Sequence, residues 1–198
     1  MKKIRFAQLS DAEELLRIYA PYVTDSVITF EYDVPSPIEF EKRMMDIQRE
    51  YPYLVCEIDG NIAGYAYAHR HKERAAYGWN VELSIYLDHS YVGRGIGRAL
   101  YTVLLKILQL QHVVNAYACI TLPNEASMAL HTSFGFTPVG VFSHTGYKFG
   151  KWLDVIWLEK ALQDMEEEPK PLCSIELLDY IEIMQIFQYG EMMIREEL

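Results

Sequence analysis

The sequence has few cysteines and no long apolar run, and both shortages narrow the kinds of protein that it encodes. Its three cysteines, Cys56, Cys119 and Cys173, are widely spaced and form no C-x-x-C pair. This pattern argues against a disulfide framework or a zinc site and favours reduced thiols in a cytoplasmic protein. The six histidines show no ligand spacing, so we expect no metal. No stretch approaches the roughly 18 uninterrupted apolar residues of a membrane span, and the N-terminus does not resemble a secretory signal.

The sequence also lacks an excess of positive charge. The chain carries 18 basic and 28 acidic residues. Residues 1–162 are nearly balanced, with 18 acidic and 16 basic side chains, whereas residues 163–198 hold 10 acidic and 2 basic ones. Nucleic acids and anionic membrane surfaces both call for a basic face. We therefore expect neither a nucleic acid nor a membrane as a partner.

What is present fits one globular domain with an appendage. The chain has 198 residues, of which 51% are hydrophobic. This is enough to bury a core and excludes a disordered chain. After residue 162 the charged, proline-broken segment MEEEPKP leads into a stretch of apolar residues among acids. We predict a domain over residues 1–162 and an acidic, helical C-terminal extension over residues 163–198.

The segment VELSIYLDHSYVGRGIGRAL, residues 81–100, is the most informative part of the chain. Residues 81–87 alternate between apolar and polar, which predicts a strand with Glu82 on its more polar face. Gly93, Gly95 and Gly97 follow, interleaved with Arg94 and Arg98. From Ala99 onward, apolar residues recur at helical spacing. The predicted order is strand, glycine-rich loop, helix.

This order is suited to phosphate binding. Glycines let the main chain approach an anion, and the first amides of a helix have no internal partners. The loop is not a Walker motif, because Arg98 and Ala99 follow Gly97, and it lacks the third glycine of a dinucleotide fingerprint. The alternative is a tight strand-to-helix turn without a ligand.

The remaining pattern predicts a mixed α/β sheet. A strand over residues 2–9 is followed by a helix that starts at Ser10 and is interrupted by Pro21, and a second helix spans residues 38–50. A hairpin turns at residues 59–61, and a strand over 113–120 precedes a helix over 126–133. Two late strands are predicted over residues 136–143 and 152–159. Alternating strands and helices followed by paired strands indicate an α/β fold of mixed direction.

Two loops hold candidate substrate contacts. Phe30 and Glu31 lie between the two predicted helices, in a position to border a pocket, although a packed loop aromatic is an equally good interpretation. Lys72 and Arg74 precede the central strand and are suited to bind a carboxylate. Solvated loop cations are the simpler interpretation of this pair.

Three segments together resemble a known family. VELSIYLDHSYVGRGIGRALYTVLL, LPNEASMALHTSFGF and GYKFGKWLDVIWLEK are similar to the GNAT superfamily of acetyl-CoA-dependent N-acetyltransferases. More narrowly, residues 72–82 and 147–154 resemble the phosphinothricin and methionine sulfoximine or sulfone acetyltransferases. The resemblance covers about residues 2–160. It implies the GNAT fold, a mixed and mostly antiparallel sheet flanked by helices, and a homodimer.

The resemblance also implies how acetyl-CoA would bind. The main chain of Ile85, Tyr86 and Leu87 would run beside the pantetheine, and Asn124 would contact it from the other side. Val92 stands where the superfamily usually has Gln or Arg, which weakens one contact without removing the amide cradle. The residues that would hold the pyrophosphate are Gly93, Arg94, Gly95, Ile96, Gly97 and Arg98.

An acetyl transfer to an amine benefits from a base and an acid. The amine must be neutral to attack, and Glu82 in mid-strand is the candidate base, by residue pattern and by resemblance. The alternative for Glu82 is a buried ion pair with Arg74 or Lys72. His131 occupies the place where superfamily members often have a Tyr that protonates the departing thiolate, although a structural histidine is an equal alternative.

The resemblance thus predicts N-acetylation of a small amino acid or analogue by direct attack in a ternary complex. Lys72 and Arg74 would bind the anionic end of this amine, and Phe30 would line the pocket. One alternative is a non-catalytic acyl-CoA sensor, and Glu82 and His131 argue against it. Another is an acetyltransferase for a protein or polyamine amine.

Overall fold

A seven-stranded sheet forms the centre of the computed structural model, which describes residues 1–195. Residues 196–198, the end of the predicted extension, lie outside the described residues. The strand order is β1-β2-β3-β4-β5-β7-β6, and only β4 and β5 are parallel neighbours among the described strands. The mixed, mostly antiparallel α/β sheet is therefore confirmed. The strands are β1 Lys2–Phe6, β2 Tyr53–Ile58, β3 Asn61–Arg70, β4 Asn80–Leu87, β5 Asn115–Thr121, β6 Thr137–Lys148 and β7 Lys151–Ala161.

Helices cover both faces of the sheet, because alternate residues of the inner strands are apolar on both sides. Leu54 and Cys56 of β2 pack in the larger core with α3, whereas Tyr53 and Val55 pack in a second core with α1 and α2. The shorter α4 follows β5. The helices are α1 Ala12–Thr24, α2 Pro37–Gln48, α3 Ile96–Leu110, α4 Glu125–Ser133 and α5 Tyr180–Met192.

Several element boundaries differ from the prediction: the first strand ends at Phe6 and not at residue 9, and α1, β6 and β7 are longer than predicted. Helix α1 continues through Pro21 to Thr24, because the proline removes one N–H donor near the helix end while its own carbonyl still accepts from Asp25 N at 2.9 Å. Strands β6 and β7 extend to a tight turn at Phe149 and Gly150, both with positive φ. An irregularity in the β6–β7 register between Phe142 and Gly146 breaks the alternation on which the shorter prediction depended.

The acidic extension packs on the larger core. Ile183 and Phe187 of α5 are buried there, and the ring of Phe187 meets Phe6 edge to face with centroids 5.2 Å apart. Within residues 1–195, none of the helices has the length and apolarity needed to cross a membrane.

Candidate active site

The candidate site begins where β4 and β5 separate. Their parallel pairing joins Asn80, Val81 and Glu82 to residues 115–117 and ends there. Beyond this point a cavity of about 70 Å³ lies between the strands. Parallel neighbours that part leave main-chain N–H and C=O groups of β4 without a strand partner on that side. The cavity is lined by Ile28, Leu83, Ser84, Ile85, Tyr86, Tyr101, Ala118, Cys119, Ile120, Thr121, Asn124, Ser127 and His131.

The glycine-rich loop follows β4 directly and ends at the start of α3. The carboxylate of Asp88 accepts a hydrogen bond from Ser90 N at 2.9 Å and fixes the entry into the loop. Gly93 and Gly95 have φ of +90° and +82°, a left-handed conformation that favours glycine. Helix α3 begins at Ile96, so the amides of its first turn have no partner within the helix. The loop can therefore hold an anion at the positive end of α3.

Glu82 lies where β4 and β5 part. Burial raises the pKa of its carboxyl, and the nearby His69, its cross-strand neighbour on β3, opposes this effect. Its Oε2 lies 4.0 Å from Nδ1 of His71. Within residues 1–195, neither Lys72 nor Arg74 forms an ion pair with Glu82. The arrangement is a desolvated carboxylate with a raised pKa, which is typical of a general base.

His71 is a neighbour of Glu82 that the sequence analysis missed. Its ring stacks on Tyr117 with centroids 4.5 Å apart and meets Trp157 edge to face. Burial lowers the pKa of the imidazole, so His71 is mainly neutral at pH 7. Its Nδ1 is buried and makes no hydrogen bond to any described residue. The i, i+2 spacing of His69 and His71, at the end of β3 and just beyond it, is the signal that could have identified His71, because it puts both residues on the face of Glu82.

His131 is buried and held at both ring nitrogens. Nδ1 donates to the carbonyl of Ser127 at 2.8 Å, which leaves Nε2 to accept from the hydroxyl of Tyr101 at 2.8 Å. Burial lowers the pKa of His131 and raises that of Tyr101 well above its usual range, so both are neutral at pH 7. Tyr101, which the sequence analysis also missed, therefore presents a fixed hydroxyl beside the cavity.

Asn124 and Cys119 have limited chemical roles in this geometry. The side chain of Asn124 caps α4 by accepting from Ser127 N at 3.1 Å. Because it caps α4, Asn124 positions the helix that carries His131. It also lines the cavity. Cys119 is exposed on one side, but partial burial and the nearby Glu82 raise the pKa of its thiol to about 12, which leaves almost no thiolate at pH 7. The thiol nearest the cleft is thus a poor nucleophile.

The predicted substrate contacts lie in two different places. Phe30 packs so closely on Gly146 that a side chain at that glycine would collide with its ring. Glu31 pairs with Arg43 at 2.5 Å, and its second carboxylate oxygen is buried without a hydrogen-bond partner among the described residues. Lys72 and Arg74 are exposed, on the segment between β3 and β4. Neither pair lines the cavity between β4 and β5.

A second, larger cavity lies beside Glu82 on the same face of the sheet. It measures about 360 Å³ and opens between α1, α2 and strands β2 and β3. His69, on its rim, is paired with Glu82, and residues that pair directly across antiparallel strands share a face. Nothing in the local sequence indicated this cavity, because its walls come from four elements. They include Tyr19, Phe40, Met44, Tyr53, Tyr65 and Tyr67.

These features fit an acyl-CoA. Where β4 has no strand partner, its edge offers main-chain groups for the amides of a pantetheine, except at Leu87, whose N–H and carbonyl both bond the hydroxyl of Tyr22. The first turn of α3 offers N–H groups for a pyrophosphate. Arg94 and Arg98 add positive charge next to these groups, stacked on Tyr91 and Phe134 respectively. Among residues 1–195, no group of three or more His, Cys, Asp or Glu side chains is arranged to hold a metal ion.

Comparisons with known proteins agree with this geometry. The chain is 35% identical over 170 residues to phosphinothricin N-acetyltransferase from Streptomyces viridochromogenes, over 86% of this chain and 92% of that protein. It is 29% identical over 167 residues to L-methionine sulfoximine/L-methionine sulfone acetyltransferase from Salmonella typhimurium, over 81% of this chain and 95% of that protein.

Solved structures and a family model show the same relationship. The crystal structure of a phosphinothricin acetyltransferase from Sinorhizobium meliloti in complex with AcCoA matches with a TM-score of 0.80 and 33% identity, over 86% of this chain and 96% of that chain. An N-acetyltransferase from Staphylococcus aureus matches with a TM-score of 0.80 and 30% identity, over 82% and 99% of the two chains. The model of the acetyltransferase (GNAT) domain matches residues 4–157. The chain therefore belongs to the GNAT family of N-acetyltransferases.

Proposed function

We propose that this enzyme transfers the acetyl group of acetyl-CoA to the primary amine of a small amino acid or analogue. The acceptors are of the phosphinothricin, methionine sulfoximine or methionine sulfone type, and the transfer is a direct attack in a ternary complex. One observation carries the proposal: Glu82, a desolvated carboxylate, lies where β4 and β5 part to form the cleft, and the glycine-rich loop follows the end of β4. The names of the relatives support the acceptor class.

Glu82 acts as the base in this proposal. An α-ammonium has a pKa near 8, so it must lose a proton before its nitrogen can attack. Because burial raises the pKa of Glu82, the carboxylate is a stronger base than an exposed glutamate would be. It takes this proton directly or through a water. Bound acetyl-CoA supplies the acetyl group, and coenzyme A leaves as the thiol.

The Tyr101–His131 pair supplies the acid in this proposal. His131 is mainly neutral and accepts from the Tyr101 hydroxyl, so it fixes the position of that hydroxyl. Tyr101 lines the cleft in which the sulfur would lie, and its hydroxyl remains protonated at pH 7. We assign proton donation to Tyr101: its O–H turns from Nε2 of His131 to the departing sulfur, the phenol oxygen gives its proton to the thiolate, and water restores that proton once coenzyme A thiol has left. His131 is its positioning residue. The high thiol pKa of Cys119 supports direct transfer over an acyl-enzyme.

The acceptor is held from two sides in this proposal. Lys72 and Arg74 bind its anionic end, and Phe30 and Glu31 border its pocket. The aromatic cavity that opens past His69 gives room for an apolar side chain beside Glu82. Residues 1–162 form the catalytic domain, and residues 163–198 are an addition to it. We further propose that the enzyme works in the cytoplasm as a homodimer.

The test follows the release of free coenzyme A thiol. Purified protein and acetyl-CoA are mixed with methionine sulfone, methionine sulfoximine, phosphinothricin, ordinary amino acids and polyamines. We expect turnover with the first three compounds. Tight binding of acetyl-CoA without turnover on any amine would contradict the proposal and favour a sensor. Turnover confined to polyamines would contradict the acceptor class alone.

A further inference from the structure

The C-terminal extension runs along α3 from the end of that helix back to its start. Near the C-terminal end of α3, Cys173 N donates to the carbonyl of Gln111 at 3.0 Å, and the Gln111 side chain donates back to the carbonyl of Cys173 at 3.0 Å. Helix α5 then packs against α3 and β1. The family model ends at residue 157, before this segment begins. The extension is thus an addition to the matched domain.

Close packing fixes α5 in this place. Gly190 approaches α3 and β1 so closely that a Cβ there would lie 2.5 Å from a methyl group of Val103 and 2.9 Å from one of Ile4. The carboxylate of Glu191 accepts from Ile4 N at 2.8 Å, on the edge strand of the sheet. Ile194, just beyond the helix, is buried as well. The chain end that follows α5 therefore has a defined position.

That chain end meets the glycine-rich loop. Arg195 N donates to the carbonyl of Arg94 at 2.8 Å. The carbonyl oxygen of Met193 lies 3.1 Å from the point where a Cβ on Gly95 would stand. The hydrogen bond falls on the Arg94–Gly95 peptide, and the Met193 carbonyl lies beside the Cα of Gly95, at the end of the same peptide unit. This unit immediately precedes the first turn of α3.

We propose that the main chain at Arg195 positions this peptide for binding the pyrophosphate of acetyl-CoA. A trans peptide is planar, and its C=O and N–H point in opposite directions. When the Arg94 carbonyl is held against the extension, the Gly95 N–H must point away from the extension. By binding the Arg94 carbonyl, the extension therefore fixes the orientation of the Gly95 N–H, one donor for the pyrophosphate. This inference rests on the proposed function, because it takes the anion to be that of the acetyl donor.

The experiment compares two variants that differ in one N–H group. Arg195→Pro removes both the side chain and the amide proton, whereas Arg195→Ala removes the side chain alone. Calorimetric titration with coenzyme A measures affinity without an acceptor. We expect Arg195→Pro to bind about threefold to tenfold more weakly than Arg195→Ala, the loss expected for one main-chain hydrogen bond. Equal affinity of the two variants would overturn the inference.

A donor substrate without the pyrophosphate separates positioning from general damage. With S-acetylpantetheine, which has no group for the loop to bind, the two variants should show the same kcat/KM. With acetyl-CoA, the KM of Arg195→Pro should rise while kcat stays within about twofold. A parallel loss with both donors would overturn the inference in favour of a structural role. If even the unaltered protein fails to bind coenzyme A, the proposed function itself fails.

Hydrogen exchange gives a readout at the loop itself. The amides of residues 93–97 should exchange faster in Arg195→Pro than in Arg195→Ala, because the peptide is no longer held. The amides of α5 should exchange alike in both variants. Faster exchange throughout α5 in the proline variant would show that the helix has detached. A truncated variant that ends at Met192 would then take the place of Arg195→Pro in the affinity measurement. That variant retains α5 and loses both contacts, and an unchanged affinity for coenzyme A in it would overturn the inference.

Discussion

Glu82 is a charged residue in mid-strand whose replacement should slow catalysis strongly while leaving the fold intact. Glu82→Gln keeps the size and hydrogen-bonding capacity of the side chain but cannot take up a proton. We expect kcat to fall by about 10²- to 10⁴-fold, the usual contribution of a general base. The affinity for acetyl-CoA should stay the same, because the pyrophosphate loop is not altered. A KM effect without a kcat effect would show that Glu82 binds the acceptor and is not its base.

The raised pKa of Glu82 also predicts how stability depends on pH. The folded state holds the proton more tightly than the unfolded chain, so the free energy of unfolding falls as the pH rises from below 4.5 through the raised pKa. Glu82→Gln has no charge to bury. We therefore expect this variant to be more stable than the unaltered protein at pH 7 and equally stable near pH 3.5. Urea unfolding at the two pH values checks this, and a less stable variant at pH 7 would show that the carboxylate is well compensated.

Tyr101 is the residue whose role depends most on the structure. Tyr101→Phe removes the hydroxyl that His131 holds, and we expect kcat to fall by roughly 10²-fold with little change in the KM of acetyl-CoA. The variant should lose about 1 kcal/mol of stability, because a buried hydrogen bond is gone. Tyr189→Phe, at an exposed site on α5, is the matched control. Full activity of Tyr101→Phe would show that another group donates the proton to the thiolate.

At the scale of elements, Gly95 of the glycine-rich loop is restricted both by its backbone conformation and by the chain that packs beside it. Gly95 has φ of +82°, and the carbonyl of Met193 occupies the space beside it. Gly95→Ala should therefore cost about 1–2 kcal/mol for the left-handed backbone and also disturb the peptide that faces the donor substrate. Gly60→Ala is a matched control, since its φ is +86° and no atom lies within 4 Å of the added Cβ. Both variants should lose stability, but only Gly95→Ala should raise the KM for acetyl-CoA.

The sequence predicted the helices and strands better than the cavities and side-chain contacts that form between them. The strand, loop and helix around Gly93 follow from local periodicity and glycine spacing, and the structure has them in that order. The Tyr101–His131 pair and the aromatic cavity could not be predicted, because each joins side chains from different elements. The last two strands were predicted too short for a local reason: the irregularity near His144 interrupts the alternating pattern of β6. Contacts that depend on packing between elements can be identified only once the fold is known.

For the molecule as a whole, the β6–β7 hairpin leaves an apolar surface without a described partner. Several large exposed apolar side chains on one hairpin are typical of an interface. A second copy of this chain is the occupant that we propose for it, as the family resemblance implies. The exposed side chains are Val139, Val141, Phe142, Tyr147, Phe149 and Trp152.

Substitution on this surface should separate assembly from folding. Trp152 is 61% exposed in the single chain, so Trp152→Glu should cost the monomer little stability while placing a charge in the proposed interface. We expect light scattering to give a dimer for the unaltered protein and a monomer for this variant at micromolar concentration. Ile38→Glu, at an 81% exposed position on α2, is the control and should remain dimeric. If both variants stay dimeric, the interface lies elsewhere, and if the unaltered protein is a monomer, the hairpin surface serves another purpose.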